Sequence, residues 1–388
     1  MGGGDEWCIL SRVTRDVRLV LCSPAGEVHG ALPRFRVATP WWMEVEPVVL
    51  DARERFGIDV TVLRIIEAEE RWPPNGGAVT YLAETPRPPR ALEVVDVDMS
   101  DHPLRARWAR PGGVNELVAW ADQHVERTGP PRQLRTWNLS VVVQLPTAGG
   151  DVWLKAVPPF MAHEGAVIET VRQIGPTLIA RADGVVLLDN IPGEDQYDAP
   201  APVCAEMVRR WVEIQAQWSA DVDGLPDWTP QRFIAQIEEL VDRPTLEELV
   251  SGLPARLEAL YACGLPDTLV HGDFHAGNWR GDRLIDWGDS GFGHPLFDQP
   301  AFLHGNTMDD EKRAAARESW RSSWQAARPG SDPQRAAELI IPIAALRQAR
   351  IYRTFLDNIE PSEHRYHLHD TEEWIQRAIA SVSMTNRW

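Results

Sequence analysis

Lysine is almost missing from this sequence of 388 residues: of 39 basic residues only Lys155 and Lys312 are lysine, and arginine carries the positive charge everywhere else. A lysine kept against that habit needs a reason. Lys312, in Asp309-Asp-Glu-Lys-Arg313, reads as a solvated charge at a polar helix start, which leaves Lys155 to explain. Positive charge is also short overall. With a formal net charge of −18 the chain lacks the basic face that phosphate backbones require, so nucleic acid and anionic membranes are excluded as expected partners, and a cationic small molecule is favoured. Cysteine is scarce: Cys8, Cys22, Cys204 and Cys263 have no metal-type spacing, and free structural thiols are expected. No apolar run reaches the roughly 18–20 residues of a membrane span. MGGGDEW lacks the apolar core of a signal peptide, and Glu6 stands where a myristoylation site needs Ser or Thr. A cytoplasmic location is the natural expectation.

What is present divides the chain. Its length predicts two or three folding units. In the first hundred residues, Val17 to Cys22, Val60 to Ile66 and Ala78 to Ala83 read as strands, with a weaker one near Leu92 to Val97. Trp41 to Phe56 reads as a helix with the stripe Trp42, Val45, Val49 and Ala52. Leu50 to Ile58 faintly resembles the end of a Nudix box. The upstream glycine and most of the metal-binding acids are missing, and Arg55 stands where the second paired glutamate would be, so a structural or substrate-shaping domain is expected rather than a hydrolase. Pro86-Arg-Pro-Pro89 and Pro111-Gly-Gly113 mark candidate boundaries.

The densest chemistry lies in Leu269 to Asp289, LVHGDFHAGNWRGDRLIDWGD. Asn278 to Arg280 and Arg283 to Trp287 read as the arms of a hairpin about the turn Gly281-Asp282, so Asn278 and Asp286 emerge at one open end. An amide and a carboxylate converging there suit magnesium, which keeps most of its waters and takes few protein ligands. Asp273, five residues before Asn278, is left to accept a hydroxyl proton, as in kinases with an Asp-x-x-x-x-Asn spacing.

Upstream, Leu134 to Leu145 and Val152 to Val157 read as antiparallel strands, the second carrying Lys155. Met161 to Gly175 follows as a helix with the buried stripe Val167, Ile168, Val171 and Ile174, and Glu164 falls on the same face. A carboxylate aimed at a core is costly unless paired, and Lys155 is nine residues back, which predicts a Lys155–Glu164 ion pair. The competing reading, an acid suited to the first helical turn, is weighed down by the downstream motif. Gly184 to Leu188 is a strand, and from Pro202 onward the pattern is helical, through Gln334–Leu356 and Thr371–Ile379.

His271-Gly-Asp-Phe-His-Ala-Gly-Asn278 followed by Ile285-Asp-Trp-Gly-Asp289 resembles the aminoglycoside phosphotransferase family, over about 270 residues from Gly112 onward. The resemblance implies an α+β, protein-kinase-like bilobal fold with a small antiparallel-sheet N-lobe (106–192) and a helical C-lobe (193–388), preceded by an extra α+β domain (1–105). It implies Asp273 as catalytic base, Asn278 and Asp286 as magnesium ligands, and His271 and Asp298 as structural braces. ATP is the implied co-substrate, with Lys155 and Glu164 at its phosphates and the hinge Asp189 to Asp195, including Ile191, at its adenine. No Gly-x-Gly-x-x-Gly precedes Lys155; Arg135 to Ser140 takes its place, with Ser140 or nearby amides as hydrogen-bond donors to phosphate. The expected partner is a small hydroxyl-bearing amine, an amino sugar or aminoglycoside, with Asp195, Trp279, Glu363, His364, His367, Asp370 and Trp374 as substrate candidates. An amino alcohol, or a nucleotide-binding regulator, is the alternative. The run Glu363 to Asp370 reads equally as a solvated loop.

Overall fold

The computed structural model describes residues 14–69, 75–240, 244–305 and 307–385; Cys8 and the MGGGDEW start lie outside them. The chain forms two compact units. The first holds Met1–Ala162, Thr177–Asn190 and Phe355–Leu368, and the second holds His163–Pro176, Ile191–Thr354 and His369–Trp388.

The first unit carries two sheets. In the N-terminal one, β1 (Arg15–Cys22) lies between β2 (Val28–Ala31) and a parallel β5 (Ala78–Glu84), which pairs with β4 (Thr61–Ala68), while β3 (Phe35–Val37) also pairs with β1. Alternation along β1 sends Val17, Leu19 and Leu21 to one core with Trp42, Val48, Ala52 and Tyr366, and Val20 and Cys22 to another with Leu63 and Leu82. Helix α1 runs from Glu46 to Phe56, five residues shorter than expected at its start. Pro47 has no N–H to give, so it fits only the first turn, and Gly57 at φ 68° ends the helix. The strand expected near Leu92 to Val97 is not formed: Glu93 bridges Ala31, and Val94 is fully exposed. Val95 and Val97 pack half-buried against a core, but beyond the bridge at Glu93 the segment has no pairing strand among the described residues.

The second sheet, in order β6-β7-β8-β10-β9, is antiparallel throughout. It follows α2 (Gly113–Ala121) and is built from β6 (Arg132–Thr136), β7 (Val141–Thr147), β8 (Gly150–Ala156), β9 (Leu178–Ala182) and β10 (Val185–Asp189). The run expected as one strand, Leu134 to Leu145, is a hairpin. Trp137 N–H donates to Ser140 O (3.0 Å) and its indole donates to Ser140 Oγ (2.9 Å), which reverses the chain around Asn138. The two sheets are tied together, because the Gln133 side chain exchanges two hydrogen bonds with the backbone of Val62 (2.8 and 2.7 Å).

In the second unit, α3 spans only Glu164–Thr170, although the stripe Val167, Ile168, Val171 and Ile174 is buried as expected. A run of β-branched residues weakens its end, and beyond it the N–H groups of Ile174 and Gly175 both reach Val171 O. The helical part comprises α4 (Ala201–Gln217), α5 (Pro230–Glu238), α6 (Pro244–Ser251), α7 (Leu253–Tyr261), α8 (Gln299–Leu303), α9 (Asp310–Ala327), α10 (Pro333–Asn358, whose end belongs to the first unit) and α11 (Asp370–Thr385). Among the described residues no helix is long and apolar enough to cross a membrane. Cys22, Cys204 and Cys263 are buried free thiols. The solvated-loop reading of Glu363 to Asp370 is corrected: Glu363, Tyr366 and His367 are buried in the first unit, with Tyr366 edge-on to Trp42 and Trp137.

Candidate active site

The loop from His271 to Ser290 is pinned at both ends, because β11 (Thr268–Val270) pairs antiparallel with β14 (Gly291–Gly293). Asp298, fully buried, then fixes its first turn by accepting from the N–H of His271 (3.0 Å) and Gly272 (2.8 Å) and from the Trp211 indole (2.9 Å). Gly272 has φ 91°, and a Cβ there would lie 2.0 Å from Asp289 O, so no other residue fits. Burial pushes the His271 imidazole down to about 4. Neutral, it accepts from Asp273 N–H at Nδ1 (3.3 Å) and donates from Nε2 to Ile285 O (3.0 Å). One ring thereby joins the segment carrying Asp273 to the segment carrying Asp286.

The hairpin is formed as its sequence predicts. In β12 (Trp279–Arg280) and β13 (Arg283–Leu284), Trp279 faces Leu284 and Arg280 faces Arg283, with Gly281 at φ 56° in the turn. Ile285 N–H donates to Asn278 O (2.9 Å), which closes the ladder at the open end, so Asn278 and Asp286 leave it side by side. Asn278 spends its Nδ2 on Asp273, reaching the carbonyl at 2.8 Å and Oδ2 at 3.2 Å. Asp286 is the single non-glycine residue with positive φ (67°) among those described. Holding an aspartate there costs energy that the surroundings must offset. Part of the offset is Glu164 of α3, whose Oε1 accepts from Trp287 N–H at 3.2 Å.

Asp273 has competing influences. Desolvation pushes its carboxyl up, the hydrogen bond and charge of His275 push it down, and Asp286 pushes it up; the net lies below the ordinary value. His275 Nε2 is 3.4 Å from Asp273 Oδ2, and the Asp273 side chain is 46% exposed, ionised yet reachable. Desolvation lowers the His275 imidazole, but Asp273, Asp286 and Asp195 together raise it. Its ring stacks on Tyr197 at 5.6 Å. The sequence reading gave His275 no role; the signal available was a histidine two residues after the expected base.

Residues 155–339 match the phosphotransferase enzyme family. That match spans the stretch that carries Lys155, Glu164 and the loop from His271 to Asp289. Among solved structures, choline kinase LicA from Streptococcus pneumoniae superposes with a TM-score of 0.54 at 12% identity, covering 70% of this chain and 99% of LicA. LicA in complex with AMP gives 0.50 at 12% identity, covering 70% and 98%. A choline/ethanolamine kinase family protein from Mesorhizobium loti gives 0.49 at 15% identity, covering 69% and 99%. No curated protein matches the sequence. The likeness to LicA establishes the kinase-like fold, with its antiparallel sheet and helical C-terminal part.

Within that phosphotransferase fold, Asp273, Asn278 and Asp286 are brought together, with Glu164 behind them. Other expected residues stand on the sheet of the first unit. Lys155, half-buried on β8, lies opposite Val142 and Val186. Ser140 is buried in the Trp137 turn. Asp189 ends β10 opposite Val152 and accepts from its neighbour Asn190 N–H. Also in the first unit, Glu363 Oε1 accepts from Ile65 N–H (2.8 Å), His364 Nε2 is 3.3 Å from Ile359 O, and His367 Nε2 is 3.3 Å from Asn138 Oδ1. In the second unit, Ile191 is half-buried and the exposed Asp195 bridges Arg280. Asp370 begins α11. Trp279 is buried under the Arg210 guanidinium (5.2 Å), and Trp374 carries that of Arg377 (4.5 Å).

The donor set fits a hard divalent cation such as magnesium. With Nδ2 of Asn278 on Asp273, its Oδ1 is left for a cation beside Asp286. Among the described residues no group of three or more His, Cys, Asp or Glu could hold a metal alone. The protein would therefore supply only part of the coordination shell, as magnesium requires.

Proposed function

We propose that the protein transfers the γ-phosphate of ATP to a hydroxyl of a small amine-bearing molecule, an amino sugar, aminoglycoside or amino alcohol. The observation that carries this reading is the clamp of Asn278 on Asp273, which separates an amide oxygen for a cation from a carboxylate for a proton. Asp273, below the ordinary carboxylate range, orients the acceptor hydroxyl and takes its proton. Lys155, with Glu164, anchors the phosphates, Ser140 donates to them, and the backbone of Asp189 to Ile191 meets the adenine. Asn278 and Asp286 would hold magnesium, which when bound would supply charge neutralisation at the phosphate oxygens. The chain's net charge of −18 supports a cationic acceptor. Asp195, Trp279, His364 and Trp374 are the proposed substrate contacts, residues 1–105 an added domain, and the cytoplasm the proposed location.

ADP release against a panel of amino sugars, aminoglycosides, amino alcohols and a generic protein substrate tests the reading. Turnover is expected with one amine-bearing alcohol and not with protein. Asp273→Asn should lose on the order of 10²–10⁴ in rate while keeping nucleotide affinity. No release with any acceptor would favour a nucleotide-binding regulator instead.

A further inference from the structure

The first unit contains a cavity of about 380 Å³, within the range of small-molecule sites. Its walls include Leu104, Trp137, Phe160, Arg107, Glu360 and Glu363. All of them lie in the first unit, remote in sequence from the loop that carries Asp273.

Glu363 is the unusual member. It is 4% exposed, its Oε1 is taken by Ile65 N–H at 2.8 Å, and its Oε2 has no hydrogen-bond partner among the described residues. A buried carboxyl with one donor is poorly compensated as an anion. Its neighbours do not supply the missing charge. Arg105 forks onto Glu360 (2.8 and 3.0 Å), and Arg64 Nε stands 3.6 Å from the same carboxylate, so both guanidiniums are directed at Glu360. Tyr81 of β5 and Tyr366 of the same segment face Glu363 as neutral phenols. Burial therefore pushes Glu363 up to about 8, against the Ile65 amide and with Glu360 adding to the rise while Arg64 and Arg105 oppose it. A protonated acid in an apolar wall is a hydrogen-bond donor. Two arginines against Glu360 leave positive charge behind that wall, and the exposed Arg107 adds more at the rim, with Asp183 as the acid in the lining that opposes it.

We propose that this cavity is a second small-molecule site, taking a compact organic acid whose apolar body lies against Trp137 and Phe160 and whose carboxylate accepts from Glu363. The occupant is distinct from the amine-bearing acceptor of the phosphotransfer reading, and the proposal stands without that reading. Glu363, a candidate substrate contact by sequence, belongs here to a different ligand.

The test is ¹⁹F NMR of the full chain, without nucleotide, titrated with 4-fluorophenylacetate and separately with 4-fluorobenzylamine. The carboxylate should bind and the amine should not. Its affinity should fall about tenfold between roughly pH 6.5 and roughly pH 9 as Glu363 loses its proton. Glu363→Gln, which keeps an acceptor for Ile65 and a donor for the ligand, should bind with that pH dependence removed. Leu104→Trp, an exposed position at the wall, should block binding without disturbing the fold. Preference for the amine, carboxylate binding untouched by Leu104→Trp, or no binding of the carboxylate at millimolar concentration would each overturn the proposal.

Discussion

Asp298 in the second unit and Glu363 in the first are both acids almost wholly out of solvent, yet they are bonded in opposite ways. Asp298 accepts from two backbone N–H groups and an indole, and burial raises it only to about 6. Glu363 accepts from one backbone N–H, and burial raises it to about 8. Burial is the main push in both; three donors and the charge of Arg347 offset it at Asp298, whereas Glu363 has one amide, with Glu360 adding to the rise against Arg64 and Arg105. A carboxylate saturated by donors is a brace, and here it holds the loop that presents Asp273. A carboxyl left with one donor is a chemically open group, and here it faces a cavity.

The contrast can be broken most forcefully at the brace. Asp298→Asn would turn an amide donor toward N–H groups that now share a carboxylate, and should cost about 3–5 kcal/mol in a urea melt. Loss below about 1 kcal/mol would mean the donors find other partners. Gly272→Ala attacks the same turn from the backbone. With a Cβ 2.0 Å from Asp289 O and φ at 91°, it should cost about 2–4 kcal/mol.

Removing the charge of the open acid should shift stability the other way from Asp298→Asn. Because the folded value of Glu363 lies above its unfolded one, the fold holds a proton that the unfolded chain releases. The stability that Glu363 contributes should be fully present below the unfolded value of about 4.5 and be lost as pH rises through about 8. Glu363→Gln should lack this decline and be the more stable protein at about pH 8, by on the order of 2 kcal/mol. Parallel pH profiles for the two proteins would show that Glu363 is compensated after all. At the small end, Arg209→Ala removes an exposed pair with Glu206 and should change stability by less than about 0.5 kcal/mol.

The same contrast explains what could be read in advance. The braced loop is contiguous: His271 to Asp289 carries its hairpin, its glycine and its acids within one stretch, and spacing alone predicts that Asn278 and Asp286 leave one end together. Lys155 and the buried stripe of α3 follow from composition and periodicity. The hydrogen bond from Trp287 N–H to Glu164 was not legible in the same way, since 123 residues separate the two. Glu363 was less so, because the amide that buries it is 298 residues back in the chain. The turn at Trp137 was hidden by β-branched residues on both sides of it, and α1 was overextended because its apolar stripe continues past the point where Pro47 stops a helix.

The most direct test of the central assignment is to count bound Mn²⁺ by electron paramagnetic resonance, with a non-hydrolysable ATP analogue present, in the wild type and in Asp273→Asn and Asp286→Ala. The account predicts that Asp273→Asn retains the metal and loses turnover, whereas Asp286→Ala loses both. Equal loss of metal in the two variants, or full retention in Asp286→Ala, would contradict the separation of proton acceptor from metal ligand.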